Sequence, residues 1–287
     1  MKKDKKRLLF THNDLDGVVC AIIYNKCFPT VENYFIENNH DTDDTIARVM
    51  DKESSDVSIM ISDLSPTEKL ARYLDRNGVE LIDHHKSALY MNDYAWATVD
   101  VSRSACSNMF NIYSNMFQLE DYKPLVELAD NYDMWGYENP CPTIEAIKLN
   151  ALLDLMGHVA FMTKFIKLAS TKLTFTENMF IDEHMKKMVR YISSTIKKVE
   201  IMTNPVNNFK FGFVAAEQYR SSLGDAILSE IPEIEYVLIA NVKTDHGSLR
   251  GRGNVDLSKL ATECGGGGHP KAAGIPLKGA LKRLLEG

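Results

Sequence analysis

Apolar residues come in two rhythms along this chain. Through the first hundred positions, short apolar runs bounded by polar turns alternate with stretches where apolar residues recur every three or four positions. The first rhythm suits strands buried in a sheet and the second amphipathic helices. The runs at 7–11, 33–36, 57–61 and 79–82 are predicted as strands, and 17–28, 42–52 and 67–77 as helices. Gly78 stands where a left-handed C-cap would stop the third helix. Repeated strand–helix units predict a parallel sheet with helices on both faces. From 102 to about 198 the pattern is almost wholly helical, with segments at 104–117, 124–135 and 147–198 and breaks near Pro140 and Pro142. Asn204-Pro205 and Asn207-Asn208 read as a turn or linker. Strands then return at 209–215, 236–242 and 248–251, with helices at 223–229 and 257–264. The fold class is α/β: an N-terminal parallel-sheet domain with a helical extension over 1–200, and a smaller C-terminal α/β domain over 205–287.

Composition changes this picture little. Of 287 residues, 45% are hydrophobic and 25% charged, which is ordinary for a globular protein. No apolar run approaches the ~20 residues of a membrane span. The basic start is followed only by Leu8, Leu9 and Phe10 before His12-Asn13-Asp14, too short for a signal-peptide core, so the expected compartment is the cytoplasm. Five scattered cysteines without a CxxC pair indicate neither a zinc knuckle nor a disulfide framework. A net charge of -6 argues against a broad basic face for duplex nucleic acid, so any nucleic-acid substrate should be short and held by a few groups.

Candidate chemistry gathers at the strand ends. His12, Asp14 and Asp16 follow the first strand, Asp63 the third, and Asp83-His84-His85 the fourth. In an open parallel sheet the ligand crevice lies at the carboxyl ends of the strands, so these clusters should converge. Clustered carboxylates repel one another unless cations neutralise them. Oxygen and imidazole donors without thiolates suit Mn²⁺ better than a structural zinc, and so many ligands suit a pair of ions. Taken singly, Asp14, Asp16 and Asp63 are also good helix caps; their joint placement is what points to metal.

The second concentration is Gly265-Gly266-Gly267-Gly268-His269-Pro270-Lys271-Ala272-Ala273-Gly274. Consecutive glycines cost backbone entropy, and a helix-compatible Lys271-Ala272-Ala273 would set amides at a helix N-terminus, where anions bind. No GK[ST] follows, so this is not a Walker A loop. Arg250 lies on a preceding strand, where its guanidinium suits bidentate phosphate pairing. Arg252 is open to the same role or to a solvated position, and Tyr219 to base stacking or to the core.

Together these motifs resemble the DHH/DHHA1 phosphoesterase family over almost the whole chain. His12-Asn13-Asp14-Leu15-Asp16-Gly17 matches its first motif, Asp63 its second and Asp83-His84-His85-Lys86 its third. Asp130 in Ala129-Asp130-Asn131-Tyr132-Asp133 matches the fourth, and only the resemblance favours it over Asp133. Ser248-Leu249-Arg250 and the glycine-rich tail match the C-terminal DHHA1 domain. The resemblance implies that His12, Asp14 and Asp63 hold one Mn²⁺, and that Asp16, Asp63, His84 and Asp130 hold the other. It also implies that Asp83 orients a histidine, that His85 contacts the scissile phosphate, and that Arg250, His269 and the amides of Gly266, Gly267 and Gly268 hold the substrate. Within the family, the first motif and Asp83-His84-His85-Lys86-Ser87-Ala88-Leu89 look most like the NrnB-type oligoribonucleases.

The implied activity is metal-dependent exoribonuclease digestion of short oligoribonucleotides to 5′-mononucleotides, without duplex or membrane binding; a homodimer fits this reading. The alternatives are a 3′-phosphoadenosine 5′-phosphate phosphatase or a linear or cyclic dinucleotide phosphodiesterase. A single-stranded DNA exonuclease has no room here for an OB-type domain, and a non-catalytic regulator is disfavoured by the intact ligand set.

Overall fold

The computed structural model describes residues 5–37, 42–53, 56–75, 78–134, 142–204 and 208–277. The expected linker at Pro205 and Asn207, the helix end at Trp135 and the break at Pro140 lie outside the described residues. The first half unrolls as β1 (Lys6–His12), α1 (Leu15–Cys27), β2 (Val31–Ile36), α2 (Thr42–Met50), β3 (Val57–Ser62), α3 (Glu68–Leu74), β4 (Val79–Asp83) and β5 (Ala97–Val99). The five strands pair in parallel in the order β2-β1-β3-β4-β5. Alternation along the strands serves two faces. Leu8, Phe10, Ile59 and Ile61 pack with Ile46 and Met50 of α2 and with Leu70 and Leu74 of α3. Leu9 and Met60, the intervening positions, are equally buried.

Four helices follow: α4 (Ala105–Tyr113), α5 (Lys123–Asp133), α6 (Ile144–Met156) and α7 (His158–Lys167). α1 packs against β1, α4, α5 and α7, and every residue from Leu15 to Tyr24 is buried. That explains an apolar composition all round this helix rather than one stripe. The helical run predicted over 147–198 is three helices: Gly157, at φ +71°, ends α6, and α8 (Phe175–Ile196) begins only after an extended stretch.

The chain divides into two compact units, Met1–Asp182 and Glu183–Gly287. The division falls within α8, because Met188, Ile192 and Ile196 pack with Leu223, Ile227, Val237 and Ile239 of the second unit. There, β6 (Glu200–Thr203), β7 (Lys210–Ala215), α9 (Arg220–Glu230), β8 (Tyr236–Asn241), β9 (His246–Gly251), α10 (Leu257–Glu263), β10 (Gly267–Gly268) and β11 (Ala272–Pro276) form a sheet in the order β10-β11-β9-β8-β7-β6. Only the β7–β8 pairing is parallel, and α9 is its crossover. On the face opposite α9, Tyr236, Leu249, Leu257, Ala261 and Ala273 make a second core.

Two expectations change. Lys271-Ala272-Ala273 starts no helix: β10 and β11 form an antiparallel hairpin, with Gly267 opposite Gly274. The close pairing requires the glycines, since a Cβ on Gly266 would stand 1.9 Å from Gly274 O. Arg252 is neither a phosphate clamp nor a solvated charge. Its guanidinium donates to Leu228 O (2.6 Å), Ile231 O (3.1 Å) and Ile234 O (2.8 Å), binding the carbonyls at the end of α9 and in the turn into β8. Helix C-termini leave such acceptors unsatisfied, and a cation there also meets the helix dipole. Arg252→Ala is therefore expected to cost about 2–4 kcal/mol, as charge-assisted bonds to three carbonyls are lost. A urea midpoint equal to wild type would refute this assignment.

Candidate metal centre

In a 2-1-3-4-5 sheet the crossovers from β1 and β3 leave in opposite directions, and a crevice opens at the carboxyl ends of that pair. The sequence places His12 at the end of β1, Asp63 just past β3 and Asp83 at the end of β4. Two buried hydroxyls tie this edge together. Ser62 Oγ donates to Thr11 Oγ1 (2.9 Å), and Thr11 Oγ1 donates to Gly17 O (3.0 Å), which folds the β1–α1 turn back onto the sheet. Gly17 permits that turn, since a Cβ there would stand 2.2 Å from His12 O.

The side chains of the turn converge accordingly. Asp14 caps α1 through Oδ1, which accepts from Gly17 N (3.0 Å), while its Oδ2 lies 2.7 Å from His12 Nδ1. The cap anticipated there from the sequence is real, and it leaves a second oxygen facing the cluster. Asp16 is 1% exposed, and its two oxygens accept from Ala105 N and Cys106 N (2.8 Å each) in the first turn of α4. Asp63 sits at φ +54°, a conformation that costs a non-glycine residue about 1–3 kcal/mol and clusters at functional sites. Its Oδ1 is 3.3 Å from His84 Nε2. Its Oδ2 is buried with no hydrogen-bond partner among the described residues and lies 3.6 Å from His12 Nδ1. Asp83 is engaged by its neighbours: Oδ1 accepts from His84 N (2.8 Å) and meets His85 Nδ1 (2.7 Å), while Oδ2 accepts from Ser65 Oγ (2.9 Å).

Asp130 does not join this cluster. Its Oδ1 accepts from Ser104 N (2.8 Å), securing the turn that starts α4. One helical turn later, Asp133 Oδ2 lies 3.3 Å from His84 Nε2. The i,i+3 spacing puts both residues on one side of α5; which carboxylate reaches the strand ends depends on how α5 docks, and the sequence does not encode that locally. The amide donors of Ala105 and Cys106 and the Ser65 hydroxyl also have no counterpart among the sequence motifs. Backbone donors leave no residue signature, and a serine two positions after Asp63 looks like any turn residue.

Among the described residues of the first unit, donor atoms fall into three sets, each within 4.8 Å: His12, Asp14 and Asp63; Asp16, His84 and Asp133; and Asp63, Asp83, His84 and His85. Asp63 and His84 are shared between sets, as bridging between neighbouring positions would require. The electrostatics fit a cation. Burial and the charges of Asp63 and Asp133 push Asp16 well above the usual carboxylate range. Burial, with Asp14 and Asp63, raises Asp133 to about 6 against the opposing pull of His84. Burial opposes ionisation of His12 and His84, yet Asp14 beside His12 and Asp133 beside His84 raise both. Asp83 goes the other way: although burial opposes it, the His85 and His84 rings hold its carboxyl below the usual range. A cluster that must borrow protons to balance its carboxylates, and that leaves one buried oxygen unpartnered, has the donor chemistry of a hard divalent-ion site.

Residues of the second unit are disposed differently. Arg250 on β9 donates to Leu249 O (2.9 Å) and Ser221 Oγ (2.6 Å). His269 is buried in the hairpin turn, where its amide donates to Ala272 O (2.7 Å). Gly266 N donates to Ala261 O (2.8 Å), so that amide is committed within the fold. Gly267 and Gly268 form β10. Tyr219 is partly buried against the core of the second unit, with its ring edge-on to His184 and Tyr191.

The shifts predict a signed pH effect. Asp16 and Asp133 have folded pKa values above their unfolded ones, so their ionisation opposes folding as pH rises above about 4, through about 6 for Asp133. His12 and His84 contribute stability when protonated, and lose it as pH rises past 6.5. The metal-free protein should therefore be less stable at pH 8 than at pH 6. Mn²⁺, which competes with those protons, should raise Tm more at pH 8. Equal Mn²⁺-induced shifts at the two pH values, by scanning calorimetry, would contradict this picture of the cluster.

No protein-family model matches the chain. It is 32% identical to the oligoribonuclease NrnB of Bacillus subtilis over 299 aligned residues, covering 96% of this chain and 74% of that protein. Among solved structures it is similar to the DHH domain of a protein described as a member of a family of ribosomal proteins (TM-score 0.60, 15% identity, 98% of this chain and 85% of that one). It is also similar to RecJ from Thermus thermophilus in complex with Mn²⁺ (TM-score 0.56, 14% identity, 99% of this chain and 51% of that one). The structural likenesses show a shared fold at low identity, and the Bacillus relative fixes the branch. The chain belongs to the DHH phosphoesterase family, among the NrnB-type oligoribonucleases.

Proposed function

We propose that this protein is a metal-dependent phosphodiesterase that digests short oligoribonucleotides to 5′-mononucleotides. The observation that carries the reading is the convergence of His12, Asp14, Asp16, Asp63, His84 and Asp133 at the carboxyl ends of β1, β3 and β4, with the buried Asp63 common to two donor sets. His12, Asp14 and Asp63 would hold one ion, and Asp16, Asp63, His84 and Asp133 a second. Two divalent ions, Mn²⁺ in this reading, would polarise the phosphodiester, supply a nucleophile near neutral pH and stabilise the leaving oxygen.

The chain's own residues do the rest. Asp83 and Ser65 fix the His85 ring, and Asp83 raises its pKa against the effect of burial. With Nδ1–H held by Asp83, the imidazolium presents Nε2–H to an oxygen of the scissile phosphate. Arg250 pairs with a phosphate of the bound strand, and His269 with Gly267 and Gly268 seats the nucleotide beside it. A net charge of -6 suits a short substrate gripped by these few groups better than a long duplex held by counterion release.

With Mn²⁺, turnover is expected to be fastest on 5′-phosphorylated RNAs only a few nucleotides long and to fall as length increases. Single-stranded DNA, 3′-phosphoadenosine 5′-phosphate, cyclic dinucleotides and pyrophosphate should be poorer substrates in the same panel. A preference for pyrophosphate or for a cyclic dinucleotide would overturn the oligoribonuclease reading.

Asp133→Asn should lower kcat/KM by roughly 100-fold or more, since even supporting partners of a metal site cost 10–100-fold. Asp130→Asn should stay near wild type, because an amide oxygen still accepts from Ser104 N. The reverse ranking would return Asp130 to the ligand set.

A further inference from the structure

The second unit contains a half-buried acidic group that neither the fold nor the metal cluster uses. Asp225, on α9, has its Oδ2 buried without a hydrogen-bond partner among the described residues. Its carboxyl is raised to about 7 by burial, which outweighs the attraction of the Arg250 charge. A half-desolvated carboxylate of this kind opposes folding rather than supporting it. Groups kept against stability are characteristic of working parts.

Arg250 lies against the face of α9 that carries Asp225. Arg250 leaves β9 between Val237 and Ala272 and lies across α9. Its stem passes over Gly224 so closely that a Cβ there would stand 2.6 Å from Arg250 Cγ and 2.9 Å from its Cβ. Nη2 then donates to Ser221 Oγ (2.6 Å) and Nη1 to Leu249 O (2.9 Å). Ser221, Gly224 and Asp225 stand at i, i+3 and i+4, which is one face of the helix. Of the five N–H groups of a guanidinium, two are thus committed among the described residues, and the fork is held in one plane.

We propose that Asp225 is a positioning residue for Arg250, acting with Ser221 and Gly224 as a cradle on α9 that fixes the guanidinium for phosphate binding. The proposal rests on the reading above in which Arg250 contacts a substrate phosphate. Gly224 supplies the space, Ser221 the hydrogen bond and Asp225 the counter-charge that holds a mobile cation over one spot. Less ordering is then left to occur on binding.

The test is steady-state kinetics on 5′-phosphorylated diadenylate with Mn²⁺. Asp225→Asn keeps the shape and removes the charge; it should raise KM about tenfold, the effect of losing one charge-assisted partner, and leave kcat unchanged. Its Tm should equal or exceed that of wild type, which a merely structural role would not allow. In an Arg250→Ala background, Asp225→Asn should add nothing further to KM. Gly224→Ala should lower Tm, and Arg250→Ala should relieve that loss by removing the stem it strikes. A wild-type KM for Asp225→Asn beside a raised KM for Arg250→Ala would overturn the cradle alone. So would an equal Asp225→Asn effect with and without Arg250, or a lowered Tm accompanied by a loss of kcat. A wild-type KM for Arg250→Ala would overturn both the cradle and the substrate role of that arginine.

Discussion

Asp16, Asp63 and Asp83 are almost completely withdrawn from water at the ends of adjacent strands. Carboxylates in such a place repel one another and forfeit their hydration, so each must find compensation within a few ångströms. The surrounding structure can be understood as that compensation. The first turn of α4 points two amides at Asp16, which fixes where that helix begins. His85 and Ser65 take up Asp83, so it supports the neighbouring ring. Asp130 ties down the turn ahead of α4 and so holds those amides in place. What remains uncompensated is Asp63, whose free oxygen faces His12 at the centre of the group. The strained backbone of Asp63 and the tight Gly17 turn follow from the same need: the chain bends sharply where it must bring charge to the switch point.

The second unit solves a different problem with the same materials. Arg250 and Arg252 are two residues apart, and both are drawn onto α9, but they meet different parts of what a helix offers. Arg252 reaches the carbonyl-rich C-terminus and becomes part of the scaffold. Arg250 crosses the middle over Gly224 and ends at the Ser221 hydroxyl, one turn from Asp225 on the same helix. One arginine closes the end of the helix and the other lies along its flank. The glycine-rich tail shows a similar economy. Its glycines serve close strand pairing in the β10–β11 hairpin, and at least one amide expected to bind substrate is spent on α10.

Much of this is legible in the sequence because its causes are local. Alternating and helical patterning gives the βα units, and a run of such units admits few arrangements other than a parallel sheet. Polar residues at the carboxyl ends of strands then have to meet, so His12, Asp14, Asp16, Asp63 and His84 can be gathered from the sequence alone. The short β5 and the exposed edge strand β6 lack a pattern strong enough to find, since three or four residues carry almost no periodicity. The tail misleads for a related reason: Lys271-Ala272-Ala273 has helical propensity, and pairing with β9 overrides it.

Choices between near-equivalent residues are decided only by tertiary structure. Asp130 and Asp133 differ by one turn of the same helix, and Arg250 from Arg252 by one alternation of a strand. Each pair shares its chemistry, so sequence alone ranks them by motif and not by cause. The docking of α5 against the strand ends gives Asp133 to His84, and the crossing of β9 over α9 gives Arg250 its cradle. The sequence by itself determined that charge would collect at the sheet's carboxyl edge, because strand order and residue type are written along the chain. Which carboxylate meets His84 and which arginine binds the carbonyls at the end of α9 was settled by packing, because that depends on contacts between elements far apart in the chain.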